Sequence, residues 1–178
     1  MQRRFVTAFR WRAHAIHSTE EWGEIVDETF AGLVAEPPSK AFFPDLYERF
    51  AQAAAWRIYP DVGPAFAALA GRGLKLGVVS NWDARLRPLL NTLGLTRHLE
   101  VMVVSCEVGA SKPAPAIFQK AAEQLHVPTG TILHVGDSFE MDVAGARAAG
   151  FKARQIERNV KPIRAGQIES LLDLLPLV

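Results

Sequence analysis

The sequence predicts an α/β protein: a parallel sheet flanked by helices, preceded by a small helical lobe. Three observations carry this. From Tyr59 onward, short continuous apolar runs alternate with helix-length stretches, the pattern of strands buried on both faces and joined by helical crossovers. Before Tyr59, apolar residues recur at helical spacing. Hydroxyl and carboxylate residues then fall just beyond two of the apolar runs, at the carboxyl ends of strands, where ligands of such sheets bind. The expected division is residues 1–58 for the helical lobe and 59–178 for the core.

In the lobe, Phe5, Phe9, Arg12 and Ile16 share one helical face, with the aliphatic stem of Arg12 completing the stripe. Ser18-Thr19-Glu20-Glu21 is a capping-box pattern that opens a second helix, whose stripe is Trp22, Ile25, Val26, Thr29, Phe30 and Leu33. Pro37-Pro38 is expected to end it. Phe43, Leu46, Tyr47, Phe50 and Ala54 mark a third helix. Arg3, Arg4, Arg10 and Arg12 read as a solvated face. His14 and His17 read as surface or packing residues, because no carboxylate or cysteine stands at ligand spacing.

In the core, Asp61 to Arg72 reads as a helix and Leu74 to Ser80 as a buried strand. A helix over 84–93, a strand over 101–104 and a helix over 114–125 follow. Thr131 to Val135 reads as the third strand, Glu140 to Ala149 as a helix, Phe151 to Ile156 as the fourth strand and Ile168 to Leu175 as a terminal helix.

Composition narrows the functional classes. Hydrophobic residues make up 49% and charged residues 22% of the 178, enough for a sizeable core. A formal net charge of +1 gives no electrostatic case for nucleic acid or an anionic membrane as partner. The single cysteine, Cys106, excludes an intrachain disulfide and suits a reducing compartment. Without a signal-like or membrane-spanning apolar segment, the expected location is the cytoplasm.

Three short motifs carry the chemistry. Ser80-Asn81 ends a strand and offers a hydroxyl and nearby N–H groups to an anionic oxygen, although a polar residue there also serves as a plain turn. Lys112 precedes Pro113-Ala114-Pro115, whose prolines stiffen the start of the next helix. A fixed ammonium can neutralise a phosphoryl group, though a lone lysine is more often a solvated surface residue. Gly136-Asp137 places one carboxylate at a strand end, and Asp142 places a second in the first turn of the following helix. Two such carboxylates can hold a hard cation such as Mg²⁺, whereas Asp137 or Ser138 alone would suffice as a helix cap.

In this order, Val78-Val79-Ser80-Asn81, Ser111-Lys112-Pro113 and Gly136-Asp137-Ser138 with Asp142 resemble motifs II, III and IV of the haloacid dehalogenase-like (HAD) hydrolases. Tyr59-Pro60-Asp61-Val62, Trp82-Asp83, Ser105-Cys106-Glu107-Val108-Gly109, Ala114 to Phe118 and His134-Val135 extend the likeness to the domain-containing 3 group of that family. The resemblance implies a Rossmann-like HAD core with a partial helical C1 cap over residues 1–58. It also implies a small phosphorylated molecule as ligand. Ser80, Asn81 and Lys112 would bind the phosphoryl group, Ser80, Lys112 and Asp137 would carry catalysis, and Asp137 with Asp142 would organise Mg²⁺. Ala114 departs from the family, where many relatives carry Asp after Lys-Pro.

The larger departure is that no Asp-x-Asp occurs anywhere in the 178 residues. The family's nucleophile and acid/base come from such a pair on a strand ahead of the cap, so the resemblance implies a chain that begins inside the cap, with its first strand missing and its metal site weakened. Weak or altered metal-dependent phosphoester hydrolysis through a metal-bound water is the expected function. The alternatives are a non-catalytic binder of phosphorylated ligands or of a protein, and a fragment begun at an internal Met. Cys106 is a weaker candidate nucleophile, since no His neighbours it in sequence. The missing strand would lie mid-sheet, between those ending at Ser80 and Asp137. The two strands could close up, the segment Arg4–Phe9 could re-enter as a strand, or a second chain could fill the gap. A homodimer is the favoured expectation.

Overall fold

The computed structural model describes residues 18–158 and 165–178. The helix expected through Phe5, Phe9, Arg12 and Ile16, and the substitute strand Arg4–Phe9, lie outside the described residues.

The lobe opens with α1 (Thr19–Phe30). Ser18 forms the expected capping box: its hydroxyl accepts from the Glu21 N–H at 3.2 Å, and the Glu21 carboxylate accepts from the Ser18 N–H at 2.8 Å. α1 ends at Phe30, ahead of Pro37-Pro38. The second proline instead begins a 3₁₀ turn (Pro38–Lys40) fastened to α1 by Asp27, which accepts from the Ser39 N–H and hydroxyl at 2.7 and 2.6 Å. α2 (Phe43–Phe50) stops short of Ala54, which belongs to a separate 3₁₀ turn (Ala53–Ala55).

The core follows as α3 (Val62–Gly71), β1 (Gly77–Ser80), α4 (Leu86–Thr92), β2 (Val101–Val104), the single turn α5 (Ser105–Val108) and α6 (Pro115–Leu125). Next come β3 (Leu133–Gly136), a π-helical turn (Phe139–Ala144), α7 (Gly145–Ala148), β4 (Lys152–Ile156), β5 (Gln167–Ile168) and a 3₁₀ helix (Leu171–Leu177). All pairings are parallel, as the sequence predicts.

Several boundaries move for physical reasons. β1 begins at Gly77 rather than Leu74 because pairing starts there, opposite Val101. A Cβ at Gly77 would sit 2.6 Å from Val101 Cγ2, so glycine permits the close approach. The expected helix over 140–149 splits into the π turn and α7. The expected terminal helix over 168–175 is corrected too: Ile168 pairs with Ile156 in the sheet, and Ser170 then caps a 3₁₀ helix.

Among the described residues the sheet is interrupted. β1 and β2 form one pair, and β3, β4 and β5 form a separate three-stranded sheet. Among the described residues, the strands ending at Ser80 and Gly136 therefore do not close up on each other. A cavity of about 370 Å³ lies between them, walled by Val78 and Val79 on one side and Leu133 and Val135 on the other. α6 spans the interruption. Its buried face, Ile117, Phe118, Ala121 and Ala122, packs in one cluster with Val103 and Val79 of the first pair and with Ala153 of the second sheet. On the opposite face Leu69, Ile168 and Leu174 form a smaller cluster with Leu76, Leu133 and Val135.

Candidate functional site

The parallel strands deliver Ser80 and Gly136 to the same edge of the molecule, and Lys112 reaches that edge from the loop ahead of α6. Asn81 joins the first two motifs. Its amide nitrogen donates to the Lys112 carbonyl at 2.9 Å, and its amide oxygen accepts from the Lys112 N–H at 2.7 Å. Both backbone polar groups of Lys112 are thereby satisfied by one side chain. Ser80 is half-buried at the end of β1. The turn after it is secured from β2: the Ser105 hydroxyl donates to the Trp82 carbonyl at 3.1 Å and accepts from the Trp82 N–H at 3.0 Å.

Lys112 joins the third motif through its ammonium, which lies 2.6 Å from Asp142 Oδ1. His134 Nε2 approaches the same oxygen at 3.1 Å, and Asp142 Oδ2 accepts from the Ser138 N–H at 3.0 Å. The Asp142 side chain is 4% exposed and that of Lys112 14%. Burial alone would raise the Asp142 carboxyl. The His134 hydrogen bond, the Lys112 charge and the Ser138 N–H outweigh it and hold the group well below the usual carboxylate range. The local backbone explains the position. Val143 and Asp142 both donate to the Ser138 carbonyl, and this wider turn brings Asp142 back against Gly136. A Cβ on Gly136 would overlap Asp142 Cγ, so glycine is required by close approach.

Asp137 differs in kind. Its side chain is exposed, while its carbonyl accepts from the Gln155 amide at 2.9 Å. The structure thus brings Asn81, Lys112 and Asp142 into direct contact and sets Asp137 at the solvent side of the same edge. Among the described residues no group of three His, Cys, Asp or Glu side chains is placed to hold a metal ion. Cys106 sits half-buried in α5, where burial, then Glu107 and Asp83, push its thiol up, away from the thiolate a nucleophile requires.

Three residues that the sequence offers only as part of the family likeness, with no role attached, take parts in this site. His134 hides inside an apolar strand, Ser105 looks like an ordinary helix start, and Asp83 looks like turn polarity. Asp83 is 5% exposed and bridges lobe and core. It pairs with Arg85 at 2.6 Å and lies 3.4 Å from the Tyr47 hydroxyl, while Arg85 stacks 3.1 Å above the Tyr47 ring and donates to the Tyr47 carbonyl. Burial opposes ionisation of Asp83, but the Arg85 hydrogen bonds and charge lower its pKa.

A parallel α/β core thus carries Asn81, Lys112 and Asp142 in contact beside the strand-end Ser80. The family model for haloacid dehalogenase-like hydrolases matches residues 3–150, and the chain belongs to that family. It is 33% identical over 162 residues to haloacid dehalogenase-like hydrolase domain-containing protein 3 of Mus musculus, covering 84% of this chain and 64% of the relative. The chain therefore spans less than two thirds of that curated relative. It is 35% identical to a phosphoserine phosphatase of Thermus thermophilus over 59% of this chain and 43% of the other. The crystal structure of a HAD phosphatase from Thermococcus onnurineus superposes with a TM-score of 0.71 at 28% identity, covering 98% of this chain and 78% of that one. No helix among the described residues is long and apolar enough to cross a membrane.

Proposed function

We propose that this protein holds the phosphoryl group of a small phosphorylated molecule at the edge formed by Ser80, Asn81 and Lys112, and that it hydrolyses such esters weakly and with help from Mg²⁺. The observation that carries the reading is the paired hold on Lys112. Asn81 fixes its backbone at 2.9 and 2.7 Å, and Asp142 fixes its ammonium at 2.6 Å. A cation held at both ends is preorganised for an anionic oxygen and needs no reorganisation when charge develops there. The phosphatases among the similar proteins support the same chemistry.

The donor set fits a weakly held magnesium ion. Asp137 offers an exposed carboxylate at the strand end, a hard oxygen ligand. Asp142 already accepts from Lys112, His134 and Ser138, so Asp137 would be the main holder of the ion, with Asp142 adding negative charge beside it. When bound, Mg²⁺ would neutralise charge on the phosphoryl oxygens. Ser80 would donate its hydroxyl to one of those oxygens, Lys112 would balance the charge of a second, and Asn81 would keep Lys112 in place.

A second reading, a binder without turnover, is favoured by one specific observation. Asp61 and Asp83 are both committed to internal partners, Asp61 accepting from Leu171, Ser170 and Arg158 at 2.7, 2.9 and 3.1 Å. Among the described residues Asp137 is the carboxylate at this edge without such a commitment.

Hydrolysis of p-nitrophenyl phosphate by the 178-residue chain separates the two. It is run with Mg²⁺ and with chelator, beside Asp137→Asn and Lys112→Ala prepared identically. Metal-dependent turnover lost in both variants supports hydrolysis. Equal rates in all three preparations, or none, combined with inorganic phosphate binding that Lys112→Ala abolishes, would leave the binding reading standing.

A further inference from the structure

A second cavity, of about 500 Å³, lies between α1, α2 and the turn after β1. That volume is within the range of small-molecule sites. Three of the chain's four tryptophans, Trp22, Trp56 and Trp82, line it, and they pack on one another with Trp22–Trp82 and Trp56–Trp82 ring centroids 6.4 and 5.3 Å apart. Phe30, Phe43 and Phe50 complete the aromatic wall.

The chemistry of the lining is decided by what its polar side chains are already doing. The Thr29 hydroxyl donates to the Ile25 carbonyl at 2.7 Å. The Tyr47 hydroxyl faces Asp83, and Arg85 is committed to Asp83 and to the ring and carbonyl of Tyr47. The Trp56 indole N–H donates to the Phe50 carbonyl at 2.8 Å. Asn81 spends its amide on both backbone groups of Lys112. A body rich in hydroxyls or bearing charge would lose its water against a mainly aromatic lining whose polar groups are largely spent on internal bonds, and each of its own polar groups left unmatched would cost roughly 1–3 kcal/mol. An apolar or aromatic body loses nothing comparable, and gains contact with ring faces.

The cavity also abuts the phosphate-facing edge. Asn81 lines it and at the same time grips Lys112, and Trp82 is the next residue. We propose that this aromatic cavity receives the non-phosphate part of the ligand, and that this part is an uncharged aromatic or similarly apolar group. The inference rests on the reading that Ser80, Asn81 and Lys112 hold the phosphoryl group, and it assigns the substrate class as aryl or hydrophobic phosphoesters rather than hydroxylated or zwitterionic ones.

The test is calorimetric titration of the 178-residue chain, in chelator so that no turnover intervenes, with 2-naphthyl phosphate, 2-naphthol, inorganic phosphate, glucose 6-phosphate and phosphoserine. The expected result is saturable binding of 2-naphthol. 2-Naphthyl phosphate should bind at least tenfold tighter than 2-naphthol, inorganic phosphate or either polar phosphoester. Two variants probe the cavity from opposite directions: Trp56→Ala removes part of the wall, and Leu46→Trp, at a half-buried lining position, fills the space. Each should weaken 2-naphthyl phosphate about tenfold and leave inorganic phosphate within twofold. Circular dichroism establishes that each variant is folded, and a variant that is not leaves the other to decide. Naphthyl phosphate binding no tighter than glucose 6-phosphate, with phosphate still bound, would overturn the substrate class and leave the phosphate edge standing. Naphthol binding with no gain from the phosphate would overturn it as well, because the cavity would not be continuous with that edge. Loss of inorganic phosphate binding alone would sink the phosphate reading itself.

Discussion

Replacing Asp142 by Asn tests whether the Lys112–Asp142 pair organises the site. The substitution preserves volume and removes one charge from a side chain that is 4% exposed. Asp142 now satisfies three donors: the Lys112 ammonium at 2.6 Å, His134 Nε2 at 3.1 Å when that nitrogen is protonated, and the Ser138 N–H at 3.0 Å. An amide keeps one oxygen acceptor and turns an NH₂ toward a second donor. Breaking a buried pair by removing one partner costs about 3–5 kcal/mol, and the retained acceptor offsets about 1 kcal/mol. The expected net loss is about 2–4 kcal/mol, which for a chain of this size lowers Tm by roughly 4–16 °C. Urea unfolding followed by circular dichroism measures it, with Asp137→Asn as the exposed control, expected to stay within about 0.5 kcal/mol.

The pH dependence has a definite sign. The Asp142 carboxyl is depressed on folding, so its contribution is present above the unfolded value of about 4 and is lost as pH falls toward the folded one. The gap between wild type and Asp142→Asn should be flat from about pH 7 to 5 and narrow below about pH 4. A loss at pH 7 under about 1 kcal/mol, or equal to that of Asp137→Asn, would refute the reasoning.

Gly136→Ala places a methyl group on Asp142 Cγ and should cost about 1–3 kcal/mol by overpacking, read as a lower urea midpoint with unchanged m-value. Arg85→Ala leaves Asp83 buried beside Tyr47 without its cation. About 2–4 kcal/mol should be lost, and trypsin cleavage between lobe and core should quicken. Phe118→Ala empties a fully buried position that contacts both His134 and Phe151, at about 3–5 kcal/mol in the same unfolding assay.

What was legible in the sequence follows from range. Strands β1, β2 and most of β3 show as short apolar runs, a continuous local signal, whereas β4 (Lys152–Ile156) is mixed in polarity and is marked more by the glycine that ends the helix before it. Their exact starts depend on partners far along the chain: Gly77 begins β1 only because Val101 lies opposite it. The clasp of Tyr47, Asp83 and Arg85 joins residues up to 38 apart, so no window of the sequence contains it. The contact of His134 with Asp142 has no local sign, because an inward-facing histidine in an apolar run does not interrupt the run. The π turn at Phe139–Ala144 was read as ordinary helix because the apolar spacing over so few residues is the same for both. Asn81 lies in the turn after β1, where the sequence places it, but its two-sided hold on Lys112 needs coordinates.

The hold that keeps Lys112 in place also restrains its affinity for phosphate. An arriving dianion must share the ammonium with Asp142, a permanent negative charge 2.6 Å from it. At about 6 Å and an effective dielectric near 20, each pair of like charges costs about 3 kcal/mol. If screening leaves a third of that, the penalty is still about 1 kcal/mol, or roughly fivefold in Kd. Asp142→Asn should therefore bind inorganic phosphate about fivefold tighter than wild type in chelator, even though it is less stable. Asn81 still clamps the Lys112 backbone on both sides, so the ammonium stays at the edge. Asn81→Ala, which releases that clamp, should bind phosphate more weakly. Calorimetry below the melting transition of each variant gives the comparison. Weaker phosphate binding by Asp142→Asn would mean that Asp142 contributes more by positioning Lys112 than it costs by repulsion, and the trade between stability and affinity would not hold.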